Sequence, residues 1–119
     1  MTELRADKDN PPNNIEEVVN EVWVWARYNF GSNVPPYQPL LGAVEELGEL
    51  AHAQLKGEQV IRQYAESTDQ KIDAIGDIVI YLIDYCNRSG LSFVKCVLTA
   101  WKEVRQRDWK KFPKNGRDE

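Results

Sequence analysis

Apolar residues recur along this chain three and four positions apart, the period of an α-helix, and no segment alternates cleanly enough to be a strand. Ile15, Val19, Val22, Trp23, Ala26 and Phe30 share one face of a first helix. Asn13 or Asn14 caps it, and Glu16 and Glu17 sit in its first turn, where negative charge suits the helix dipole. A Pro/Gly/Asn turn region follows from Gly31 to Pro39. Pro39 fits the first turn of a second helix that runs to about Lys56 and stops at Gly57. Residues 58–68 form a polar connector, partly helical at most. Thr68 or Asp69 caps a third helix ending near Gly90. Ser92 caps a fourth, which runs to about Lys111 and is stopped by Pro113. Short loops between long helices predict antiparallel neighbours, hence an all-α, four-helix bundle.

The length of 119 residues allows one domain, residues 14–119, preceded by a polar segment, 1–13, that Pro11 and Pro12 keep out of any helix. Hydrophobic residues make up 42%, enough for a core but with little margin at this size, so a homodimer or homotetramer is expected. Lys plus Arg is 15 against 19 Asp plus Glu, a net charge of −4. Polymeric nucleic acid demands concentrated positive charge and is excluded as a partner; a small phosphorylated ligand is not, because a bound metal can neutralise it. Cys86 and Cys96 both fall in apolar helical stretches and make no disulfide framework. The first residues lack an apolar signal core, and no apolar run could span a bilayer, so a cytoplasmic protein with no membrane partner is expected.

Charge adds the chemistry. On the second helix Leu41, Val44, Leu47, Ala51 and Leu55 make an apolar stripe, and Glu45, Glu46, Glu49, His52 and Lys56 make a polar one beside it. Ile72, Ile75, Ile78, Val79, Ile80, Leu82, Ile83 and Cys86 surround most of the third helix, which should therefore be largely buried. Yet Asp73, Asp77, Tyr81, Asp84 and Arg88 run along it as one polar line. Carboxylates without partners would be costly there, and two acidic stripes on neighbouring helices solve that problem by holding a hard cation such as Mg²⁺, with Mn²⁺ the alternative. Glu16 and Glu17 read as solvated, and Asp84 with Arg88 as a structural ion pair. His52, the one histidine, reads as an ordinary helix residue.

The segment Glu45-Glu46-Leu47-Gly48-Glu49 matches the EExxE motif of the all-α nucleoside triphosphate pyrophosphatases, which include MazG-like proteins and the dimeric dUTPases. Asp73-Ala74-Ile75-Gly76-Asp77, followed by Ile-Val-Ile-Tyr-Leu, resembles their second acidic motif. The tail from Trp101 through Asp108 to Phe112-Pro113 resembles their last helix. The resemblance covers about residues 18–116. It departs at Ala74, where the family's ExxD would put Glu; Asp73, facing the same way, is the expected substitute. Asp108 stands where the family has a substrate-binding Asn.

The resemblance implies a reaction, (d)NTP plus water giving (d)NMP and pyrophosphate, in the service of the nucleotide pool. It also implies roles: Glu46, Glu49, Asp77 and Asp73 as metal ligands and Glu45 as the residue that orients or deprotonates water. Lys56 either meets the phosphates or is a solvated Lys near a helix end. Trp25 and Tyr28, off the apolar face of the first helix, either stack on a base or line a dimer contact. Trp101 is expected in the core. Two rival readings remain at this point. Glu49-x-x-His52 is a ligand pair of di-iron carboxylate bundles, which need a second histidine from a symmetric partner. Ala74 suits a non-catalytic helical partner-binding module.

Overall fold

Asn14 closes the open amide end of the first helix. Its side chain accepts from the Glu17 N–H at 3.0 Å, and the Glu17 carboxylate takes the Asn13 N–H at 2.8 Å in return, a reciprocal cap. In the computed structural model, which describes residues 9–58 and 64–118, four helices follow one another: α1 Ile15–Phe30, α2 Tyr37–Glu58, α3 Tyr64–Ser89 and α4 Phe93–Val104. The described residues contain no strand. Most of the expected loose segment 1–13 and the middle of the 58–68 connector lie outside the described residues.

Three boundaries differ from expectation. α2 begins at Tyr37, ahead of Pro39, because Pro35 and Pro36 supply carbonyls to the N–H groups of Gln38 and Leu40. α3 begins at Tyr64, so Thr68 and Asp69 lie within it and cap nothing. α4 ends at Val104, well short of Lys111. Asp108 is the reason: its carboxylate accepts the Lys111 N–H at 2.9 Å, its carbonyl takes the Phe112 N–H, and its own N–H goes to Gly116. These local bonds compete with helix hydrogen bonds and win. Gly116, at φ +76°, permits the fold-back; a side chain there would sit 2.8 Å from Arg107 Cβ.

α3 is the common neighbour. It packs against each of the other helices, α4 also touches α1, and among the described residues α2 touches α3 alone. The bundle is therefore open on one side. The face of α2 that meets α3 is its small-residue face: Pro39, Gly42, Ala43 and Ala53 are buried, as is Ala74 on α3. The Leu41, Val44, Leu47, Ala51 and Leu55 stripe points the other way and is exposed. α3 is not largely buried as expected: Ile72 and Ile75 are 66% and 53% exposed. Trp101 is not core; it stands 57% exposed on α4, a helix with no buried residue. The chain presents 9173 Å² to solvent and has a radius of gyration of 18.0 Å. A compact chain of this mass and length would show about 6,600 Å² and about 13.5 Å.

α1 is fastened to α3 by polar contacts as well as by Val22 and Ala26. The Arg88 side chain, almost fully buried, donates to Asp84 at 2.9 Å and to the carbonyls of Gly31 at 3.0 Å and Ala26 at 3.4 Å. The Asp84–Arg88 structural pair read from the sequence is thus present. It also ties the last turn of α1, and the glycine that follows it, to α3. Arg88→Ala strands the Asp84 charge and cuts that tie and is expected to cost about 3 kcal/mol. Urea unfolding of the variant measures this; a midpoint unchanged from the parent would show that the pair holds nothing.

Candidate functional site

The α2–α3 contact sets the register of the site. Gly42 lies against the ring of Tyr81: a Cβ on Gly42 would fall 2.4 Å from Tyr81 Cε1. One helical turn further along α2 is Glu46, and one turn back along α3 is Asp77. Both are half-buried, and they belong to one electrostatic group. Loss of water holds the Glu46 carboxyl above its ordinary value of 4.5, and the charges of Glu49, Asp77, Asp73 and Glu45, in that order, push it the same way. All five acids singled out from the sequence are thus neighbours. Glu45, Glu49 and Asp73 are exposed around the half-buried pair. Ala74, where the resemblance would place Glu, is 4% exposed. The acid at this turn is Asp73, on the solvent side.

Beside this group opens a cleft of about 380 Å³. Glu46 and Asp77 form one wall, Trp25, Phe30 and Ile80 another, and Tyr81 and Asp84 complete it. Phe30 meets Trp25 edge to face at 5.6 Å and 85°, which orients the indole. Among the described residues no Lys or Arg lines the cleft. An anionic ligand there would need its charge met by a cation.

The structure therefore brings Trp25 to the acids but leaves other predicted residues elsewhere. Tyr28 is 58% exposed and does not line the cleft. Lys56 is ten residues beyond Glu46, about 15 Å along the helix. Asp108 is occupied in the C-terminal turn. His52 is exposed on α2. Phe30 and Tyr81 line the cleft without having been assigned to it from sequence. Tyr81 did carry a signal, one turn after Asp77 on the same polar line. Phe30 carried none, because its spacing placed it on the apolar face of α1.

Chemically the acids suit a hard divalent cation, since every donor is a carboxylate oxygen. They are not arranged as a finished cage: among the described residues no three Asp, Glu, His or Cys groups stand close enough together to hold an ion as they are. Side-chain rotation would have to complete the coordination. No described helix is long and apolar enough to cross a membrane. No family model, curated protein or solved structure matches the chain.

The Glu46 environment generates a pH prediction. Glu46 keeps its proton to higher pH in the fold than in the unfolded chain, so its stabilising contribution is complete below pH 4.5 and is lost as the pH rises through the raised value. Without divalent cations, the melting temperature should fall over that window, and Glu46→Gln should flatten the fall and melt higher than the parent at neutral pH. A pH profile with the same slope in parent and variant would show that the neighbouring carboxylates do not act on Glu46.

Proposed function

We propose that this chain is a Mg²⁺-dependent nucleotide pyrophosphohydrolase of the MazG-like kind, converting (d)NTP to (d)NMP and pyrophosphate. One observation carries the reading: Glu46 sits among four further carboxylates at the edge of an aromatic-walled cleft. A nucleotide has the matching two-ended chemistry, a polyanionic chain and a flat ring. Trp25, oriented by Phe30, would face the ring, and the acidic end of the cleft would face the phosphates.

Glu46, Glu49 and Asp77, with Asp73, would hold the metal, Mn²⁺ being the alternative ion. When bound, the ion supplies charge neutralisation and polarises phosphoryl oxygens. The protein's own part is to place water and accept its proton. Glu45, exposed and next to Glu46, is the base: it takes the proton as the water oxygen attacks the α-phosphorus. The α–β bridge then breaks with its oxygen on the leaving pyrophosphate. The buried methyl of Ala74 favours a second reading, a domain that binds nucleotide without hydrolysing it. Release of pyrophosphate separates the two.

The assembly belongs to the same proposal. Leu41, Val44, Leu47 and Leu55 on α2, Ile72 and Ile75 on α3, and Val97, Leu98, Trp101 and Val104 on α4 are all close to half exposed or more. A second copy of the chain offers the same apolar stripes and would cover them by symmetric packing, in a homodimer or homotetramer.

Two outcomes are expected. With Mg²⁺ and each common NTP and dNTP, the products are pyrophosphate and the monophosphate; Asp77→Asn lowers kcat by roughly 10²–10³-fold while folding normally, because it keeps the shape and loses the charge. Orthophosphate as product, or a near-normal kcat for Asp77→Asn, refutes the assignment. In sedimentation at tens of micromolar, the particle should be a multiple of 13.7 kDa, and Leu47→Glu should shift it toward the monomer. A monomeric parent in both low and moderate salt rules out the assembly.

A further inference from the structure

The acidic cleft uses neither cysteine, yet the fold places the two side by side. Cys86 is in the last turns of α3 and is buried; Cys96 is in the first turn of α4 and is exposed. The backbone between them is closely tied. The Leu91 N–H donates to the Cys86 carbonyl at 2.8 Å, across Gly90 at φ +74°, so one cysteine is part of the bond that terminates α3. The Cys96 N–H donates to the carbonyl of Ser92, the residue that caps α4, at 2.9 Å. Each cysteine is therefore anchored in one wall of the same tight turn. Across it the Cys86 thiol has Cys96 as its side-chain hydrogen-bond partner, with Cys86 the donor. Both are free thiols.

The helix they join is lightly held. Within the single chain α4 has no buried residue, and its large apolar side chains Val97, Leu98, Trp101 and Val104 are left uncovered. A covalent link at its first turn would fix its direction relative to α3. We propose that Cys86 and Cys96 form a peroxide-sensitive dithiol–disulfide pair that staples α4 to α3.

The chemistry divides between the two residues by exposure. Cys96 is the point of attack, since reactivity requires an accessible thiolate. Its sulfur attacks a hydroperoxide oxygen, the O–O bond breaks, and Cys96 becomes a sulfenic acid as water leaves with the thiol proton. Burial raises the Cys86 thiol above its ordinary value of 9.0, which keeps it protonated and out of the first step. It acts as the resolving thiol: it attacks the Cys96 sulfur, the S–S bond forms, the S–O bond breaks, and a second water leaves carrying the Cys86 proton. Two thiols are oxidised and one hydrogen peroxide is reduced to two waters. The loop so closed is short, and the staple acts mainly by removing freedom from the unfolded chain.

The test uses the full chain, reduced and then treated with hydrogen peroxide. Intact mass after alkylation under denaturing conditions should show the loss of two hydrogens with neither cysteine alkylated. Peptide mapping should find a Cys86–Cys96 cross-link within one chain. The melting temperature should rise by roughly 5–15 °C and return on reduction with dithiothreitol. Cys86→Ser should instead trap Cys96 as sulfenic acid, detected with dimedone, with no rise in melting temperature. Cys96→Ser should leave Cys86 unmodified at the same peroxide dose. Overturning results are a Cys96–Cys96 link between chains, direct progress of Cys96 to sulfinic acid with Cys86 still alkylatable, or a cross-linked chain whose melting temperature does not rise.

Discussion

The close approach of α2 and α3 over small residues is the constraint on which the remainder depends. Gly42, Ala43 and Ala53 on α2 and Ala74 on α3 are all small and buried, which lets one helix lie near the other. Gly42 shows how tight the contact is, because the Tyr81 ring fills the space a side chain would need. Close packing leaves no room for large apolar groups in that seam. It does leave room at its edge for Glu46 and Asp77, which arrive half-buried and opposite one another. Such a placement is unfavourable for carboxylates by themselves, as the raised Glu46 shows, and a favourable use for it is to hold positive charge.

The same choice has a cost on the other side of the hairpin. A helix has one circumference, and giving the small-residue face of α2 to α3 turns its leucine stripe outward. α3 does likewise with Ile72 and Ile75, and α4 with Trp101. Ile83 is the one large side chain that is completely enclosed among the described residues. The interior of the single chain is thus made mainly of methyl groups and a buried ion pair, Arg88 with Asp84, while its larger apolar residues await a surface to meet. The acidic group and the unmet apolar faces are two consequences of one packing decision.

α1 contributes differently. Among the described residues it never touches α2, so its hold on the site passes entirely through α3. Arg88 reaching the carbonyls of Ala26 and Gly31, and Asn87 reaching that of Val19, fix where α1 lies along α3. That position carries Trp25 and Phe30 to the rim of the acids. Tyr28, three residues from Trp25 in sequence, points elsewhere on the helix and misses the cleft.

The sequence by itself determined that there are four helices, the Ser92 cap, a cap for the first helix at Asn13 or Asn14, and five acids on two neighbouring helical stripes. Each of these is written in local terms: a period, a capping side chain, carboxylates repeated one turn apart. It did not determine the end of α4, where the turn built on Asp108 outcompetes continued helix, nor the start of α3, where no strong cap marks the boundary. Above all it could not say which stripe of α2 faces inward. The leucine stripe and the glycine–alanine stripe are both self-consistent helical faces, and hydrophobicity alone favours the first. Only the tertiary structure decided for the second, because the gain from close helix approach depends on what stands opposite, and what stands opposite Gly42 is Tyr81, thirty-nine residues away in the chain.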